Sequence, residues 1–122
     1  MGKIFFALLW VFSLELAAAP QSDSRAVIEK LLKKVETSDC TFIRNGSNHT
    51  GKEAATHMRR KYEHFKHKIK TPEDFIEKCG SKSELSGKEY SVKLPDGKVM
   101  SCKRWMTEEL KQLQAADKLT IR

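Results

Sequence analysis

Thr41-Phe42-Ile43-Arg44-Asn45-Gly46-Ser47-Asn48-His49-Thr50 is the stretch that decides the fold. Thr41 to Arg44 reads as a strand, and Asn45-Gly46 is the strongest short signal for a tight hairpin turn, because both residues tolerate positive φ. Ser47 to Thr50 then returns beside it. Immediately after, Ala54, Ala55, Met58, Tyr62 and Phe65 recur at spacings of three and four, so a helix begins near Lys52. On the other side, Ile28, Leu31, Leu32 and Val35 form one stripe of a helix capped by Ser22 or Ser24 and running to about Ser38.

Downstream the alternation of periods repeats. Thr71-Pro72-Glu73-Asp74 marks a fresh helix start, with a cap, a proline at the first helical position and acids in the first turn. Phe75, Ile76 and Cys79 give it a buried face, Gly80 ends it, and Ser81 to Gly87 is a loop. Tyr90, Val92 and Leu94 alternate as a strand does, Pro95-Asp96-Gly97 turns, and Val99 to Cys102 returns as a second hairpin. A last helix runs from Lys103 to about Ala116 with Trp105, Met106, Leu110 and Leu113 inward. The order helix, hairpin, helix, helix, hairpin, helix lacks strand–helix–strand alternation. It predicts a small α+β single domain of about four helices with two short antiparallel β-hairpins.

Residues 1–19 have a different character. Lys3 precedes an apolar run from Ile4 to Leu14, followed by Ala17, Ala18 and Ala19, the three-part layout of a secretory leader. The run falls well short of the roughly 20 residues that cross a bilayer, so it reads as a signal peptide and not a transmembrane segment. An apolar N-terminal helix packed on the domain is the bland alternative, and Glu15 and Pro20 leave the cleavage position open. The expected organisation is a signal peptide over 1–19, a single α+β domain over 20–122, and an extracytoplasmic, periplasmic or secreted, location.

The chain carries 23 Lys and Arg against 16 Asp and Glu, a net charge of +7. A positive field favours anionic partners without distinguishing phosphate-bearing lipids, envelope polymers and acidic proteins, and a solvated charged surface is the bland reading. Nucleic acid is disfavoured, since the few aromatics are placed for the core and not interleaved with the basic residues. Cys40, Cys79 and Cys102 make no C-x-x-C pair, so no metal or dithiol centre is suggested, although two of them could bridge in an oxidising compartment. His64 and His67 lie among Lys66, Lys68 and Lys70, whose charge opposes a metal cation. Gly46, Gly51 and Lys52 imitate a phosphate-loop spacing, but Glu53 stands where Ser or Thr is needed. No cofactor is implied.

The strongest polar constellation is Arg44, Asn45, Glu53 and His57, with Arg60 and Lys61 beside it on the basic face of the helix. Glu53 and His57 stand one turn apart and can pair directly, while Arg44 shares a strand face with Phe42 and could present its guanidinium to that carboxylate. An imidazole held by a carboxylate is how a general base is oriented. The structural alternative is an Arg44–Glu53 strut that ties hairpin to helix.

Taken together, Cys40-Thr41-Phe42-Ile43-Arg44-Asn45-Gly46, Glu53-Ala54 with His57, Arg59 and Lys61, Thr71 with Glu73-Asp74-Phe75-Ile76, and Ser81, Ser83, Ser86-Gly87 and Tyr90 resemble the small exported bacterial proteins grouped as domain of unknown function family 5329. The resemblance runs in order from about Val27 to Trp105. It implies a bacterial, extracytoplasmic protein and no particular reaction. Two function classes follow from the residues. One is a non-catalytic binding or interaction module for an anionic envelope component or a protein partner, acting through the basic helix Lys52 to Lys70. The other is a small hydrolase-like enzyme using His57 oriented by Glu53, with Arg44 stabilising developing negative charge. Exposure of the His57 imidazole discriminates between them. Neither class fixes an oligomeric state.

Overall fold

The computed structural model describes residues 23–121, so the expected leader over 1–19 lies outside the described residues. Helix α1 occupies residues 23–37. It is followed by β1 (Thr41–Arg44), β2 (Ser47–His49) and helix α2 (Gly51–Phe65), which closes in a 3₁₀ turn, Lys66–Lys68. Then come helix α3 (Pro72–Phe75) with a π-helical extension Ile76–Gly80, strands β3 (Ser91–Lys93) and β4 (Val99–Ser101), and helix α4 (Cys102–Ile121). This is the α+β architecture that the sequence predicts.

Local chemistry explains the boundaries. Asn45 and Gly46 adopt φ of 51° and 80°, the pair of positive values that a two-residue hairpin turn of matching twist requires. Thr50 caps α2 through a reciprocal box, its hydroxyl accepting from the Glu53 N–H while the Glu53 carboxylate accepts from the Thr50 N–H. Thr71 and Asp74 repeat that arrangement at α3, with Pro72 in the first turn. Helix α4 begins as soon as β4 ends, and the Ser101 hydroxyl accepts from the Arg104 N–H.

The two hairpins are not independent. They join through an antiparallel β1–β3 pairing into one four-stranded sheet of order β2-β1-β3-β4. Phe42 stands opposite Val92, so the pairing carried two residues further sets Arg44 beside Tyr90 on the same face. Phe42 meets Trp105 of α4 edge to face at 5.5 Å, and Tyr62 of α2 meets Phe75 at 5.5 Å, placing the core between the sheet and the helices. The α1 stripe Ile28, Leu31, Leu32 and Val35 is fully buried within it.

Exposed ion pairs fasten α1 from outside, Glu29 to Arg59 at 2.8 Å and Lys30 to Asp117 at 3.3 Å. Such pairs contribute little in water, so Arg59→Ala should cost about 0.5 kcal/mol or less. A thermal unfolding midpoint lowered by more than about 4 °C would show that this pair does more than decorate the surface.

All three cysteines are free, so the bridge that the sequence left open is not formed. Cys79 and Cys102 are buried, and burial pushes both thiols up to about 12. Among the described residues no helix is long and apolar enough to cross a membrane.

Candidate functional site

The centre of the site is an imidazole held from both sides. His57 projects from α2 toward the sheet, where Arg44 at the end of β1 donates from Nη1 to His57 Nδ1 at 2.7 Å. A guanidinium can only donate, so Nδ1 accepts and the ring hydrogen of the neutral imidazole sits on Nε2. That hydrogen points to the Tyr90 hydroxyl, 3.3 Å away. Lys61, one turn further along α2, also donates to the Tyr90 hydroxyl at 3.4 Å and to the Lys82 carbonyl at 3.1 Å. The phenol oxygen thus receives two nitrogen donors, and toward any other group it can act only by donating its own hydrogen.

This arrangement corrects the pairing expected from sequence. Glu53 does not orient His57 and Arg44 does not reach Glu53. The Glu53 carboxylate is committed to the Thr50 N–H at the start of α2, with His49 Nδ1 3.9 Å away. Capping wins because the carboxylate at the third helical position reaches back to an unpaired backbone N–H, whereas His57 lies one turn in the opposite direction. The backbone hydrogen bond is also the leading reason that the Glu53 carboxyl titrates below its ordinary range. The strut between hairpin and helix exists, but it runs Arg44–His57–Tyr90.

The remaining expected residues divide. Asn45 belongs to a neighbouring network, donating to the Ser83 hydroxyl at 3.3 Å and accepting from the Ser86 hydroxyl at 2.6 Å, so it ties the hairpin turn to the serine loop. Arg60 is exposed beside His57. Lys61, expected on the solvated face of the helix, is only 8% exposed. Its stem is buried and its ammonium lies 3.9 Å from Glu84. Tyr90 is buried in the core, as the sequence reading has it, and what that reading missed is the part its hydroxyl plays in the site, between His57 and Lys61. A buried tyrosine ordinarily finds a partner for its hydroxyl, and that regularity was the available signal.

Electrostatics follow from the geometry. His57 is half-buried, and burial, followed by the charges of Arg44, Lys61 and Arg60, pushes its imidazole down from the ordinary 6.5 to about 4. It is neutral at physiological pH. Burial likewise lowers the Lys61 ammonium and raises the Tyr90 phenol.

Two hollows flank the strut, of about 380 Å³ and about 610 Å³, and Arg44, His57, Arg60 and Tyr90 line both. The smaller continues past Lys52 and Phe42, the larger past Lys61 and Ser83. No group of three or more His, Cys, Asp or Glu side chains that could hold a metal occurs among the described residues.

Comparison with known proteins adds a family and no activity. The model of a family of unknown function (DUF5329) matches residues 22–114. An uncharacterized protein, YfeK, of Salmonella typhimurium (strain LT2) is 41% identical over 65 residues, 53% of this chain and 52% of that protein. The chain thus spans about half the length of the curated relative it matches. No solved structure matches.

Proposed function

Since the chain belongs to this family of unknown function, its own residues have to supply the reading, and we propose that it is a non-catalytic binding module for an anionic partner in the bacterial cell envelope, acting outside the cytoplasm after loss of residues 1–19. The observation that supports this is the state of His57. Its Nδ1 lone pair is taken by Arg44, its Nε2 carries a hydrogen directed at Tyr90, and burial among cations keeps it neutral. An imidazole so held has no free lone pair with which to remove a proton. It positions Arg44 and Tyr90 at the wall between two hollows, where Arg60 adds a second guanidinium.

The alternative, a small hydrolase-like enzyme using His57 and Glu53, draws support from a half-exposed imidazole lining a hollow. It lacks the carboxylate that would orient the base, because Glu53 serves the helix cap.

The binding reading is tested by recovering whatever companion the protein retains from an envelope extract, identified by mass spectrometry, with the recovery repeated on Arg44→Ala and His57→Ala. A specific companion should be lost at least about tenfold in Arg44→Ala, and its retention should fall as salt rises. Equal recovery from both variants at low and high salt would place the binding surface elsewhere.

A further inference from the structure

Resting on that binding reading, we propose that the occupant of the smaller hollow is a single-chain amphiphile, an apolar tail that ends in a phosphate or a carboxylate. The inner surface of this hollow is apolar: Phe42 and Cys102 approach from the sheet side, Ala54 and Met58 from α2, and all four are buried. Cys102 adds no charge, since burial keeps its thiol protonated. The mouth has the opposite character. Lys52 and Arg60 are exposed at its edge and Arg44 is held against it by His57.

Glu53 is the single acid in this lining, and its carboxylate is engaged by the Thr50 N–H with His49 close by. The edge is therefore cationic, with its one carboxylate already occupied. A small inorganic anion would use the edge and leave the apolar interior unfilled. A neutral apolar compound would fill the interior and leave the guanidinium groups without a counter-charge. An amphiphile uses both, and about 380 Å³ lies in the range of cavities that enclose small organic ligands.

Fatty acids and acylated phosphates share this chemistry, and head groups of known identity separate them. Isothermal titration of the protein with octyl phosphate, octanoate, octanol and inorganic phosphate, each below its micelle-forming concentration, reads the two halves of the site independently. Octyl phosphate or octanoate should bind at least about 30-fold more tightly than inorganic phosphate, the effect of burying a few methylenes, and about 10-fold more tightly than octanol. Whichever of the two binds better identifies the head group.

The double charge reversal Lys52→Glu with Arg60→Glu changes only exposed positions, so the fold is kept. It should abolish the advantage over octanol while octanol binding itself is unchanged. If inorganic phosphate binds as tightly as octyl phosphate, and the reversal removes both, the amphiphile is overturned and the anion-binding reading stands. If no anion responds to the reversal, both fall.

Discussion

Gly51→Ala is expected to destabilise the protein by about 3 kcal/mol and to lower its unfolding midpoint by about 12–24 °C, the largest effect expected of an alanine at any of the described glycines. Gly51 opens α2 where the end of α1 passes over it. A Cβ there would lie 2.2 Å from the Val35 carbonyl oxygen, 3.2 Å from that of Glu36 and 3.1 Å from the Ser38 hydroxyl. Two of these atoms are backbone, so relief requires α1 and α2 to separate, and α1 carries the fully buried stripe Ile28, Leu31, Leu32 and Val35. A rotamer change cannot absorb the clash.

Gly46→Ala supplies the contrast. Nothing lies within 4 Å of a Cβ at Gly46, but its φ of +80° is unfavourable to alanine, so that change should cost only about 1–2 kcal/mol through backbone strain. Thermal unfolding followed by circular dichroism measures both. A midpoint for Gly51→Ala within about 3 °C of the parent would show that the two helices are not in contact at this point.

Gly51 also shows where the sequence stops being legible. In one dimension it looks like the second glycine of a phosphate loop with the wrong residue two places on. Its actual task, admitting the backbone of residues 35 and 36, depends on a crossing of helices that no local spacing announces. Turn and cap chemistry were readable because they are satisfied within four residues, as at Asn45-Gly46 and Thr71-Pro72.

The joining of the two hairpins was not readable. Alternation in Phe42–Arg44 and Tyr90–Val92 shows which side chains share a face, and says nothing of which strand lies alongside which. That single pairing is what sets Arg44 beside Tyr90, so the site inherited the uncertainty of the sheet.

Within the site, two local rules competed for Glu53. Thr50-Gly51-Lys52-Glu53 fits a capping box and Glu53 with His57 fits a helical pair, and both spacings are present in the chain. The cap prevails because the N–H it satisfies has no other partner, and His57 is left to Arg44. Lys61 misled for a related reason. A lysine stem can be buried while its ammonium finds oxygen acceptors, so its charge alone did not place it on the solvated face.

The neutrality of His57 leads to an acid sensitivity that can be measured without knowing any ligand. In the unfolded chain the imidazole takes a proton near pH 6.5, whereas in the folded protein it resists until about pH 4. Between these values the unfolded state binds more protons, so stability is fully present above pH 6.5, falls as the pH drops through the window and levels below about pH 4. Water reaches a half-buried ring, and discounting the shift by about half for screening leaves a loss of about 1 kcal/mol between pH 7 and pH 5. That corresponds to about 4–8 °C in the unfolding midpoint.

The range from pH 7 to pH 5 isolates this group from the carboxylates of Glu53, Asp74 and Glu77, which are held below their ordinary values and give up their contribution only at lower pH. His57→Gln keeps a side chain that can accept from Arg44 and donate to Tyr90 but cannot titrate, so its midpoint should be about 4–8 °C less sensitive over the same interval. Arg44→Met removes one of the charges that keep the ring neutral and should shrink the sensitivity without abolishing it, because burial is the larger cause. If His57→Gln retains the full acid sensitivity of the parent, the imidazole is not the neutral, doubly held group on which the proposed binding reading rests.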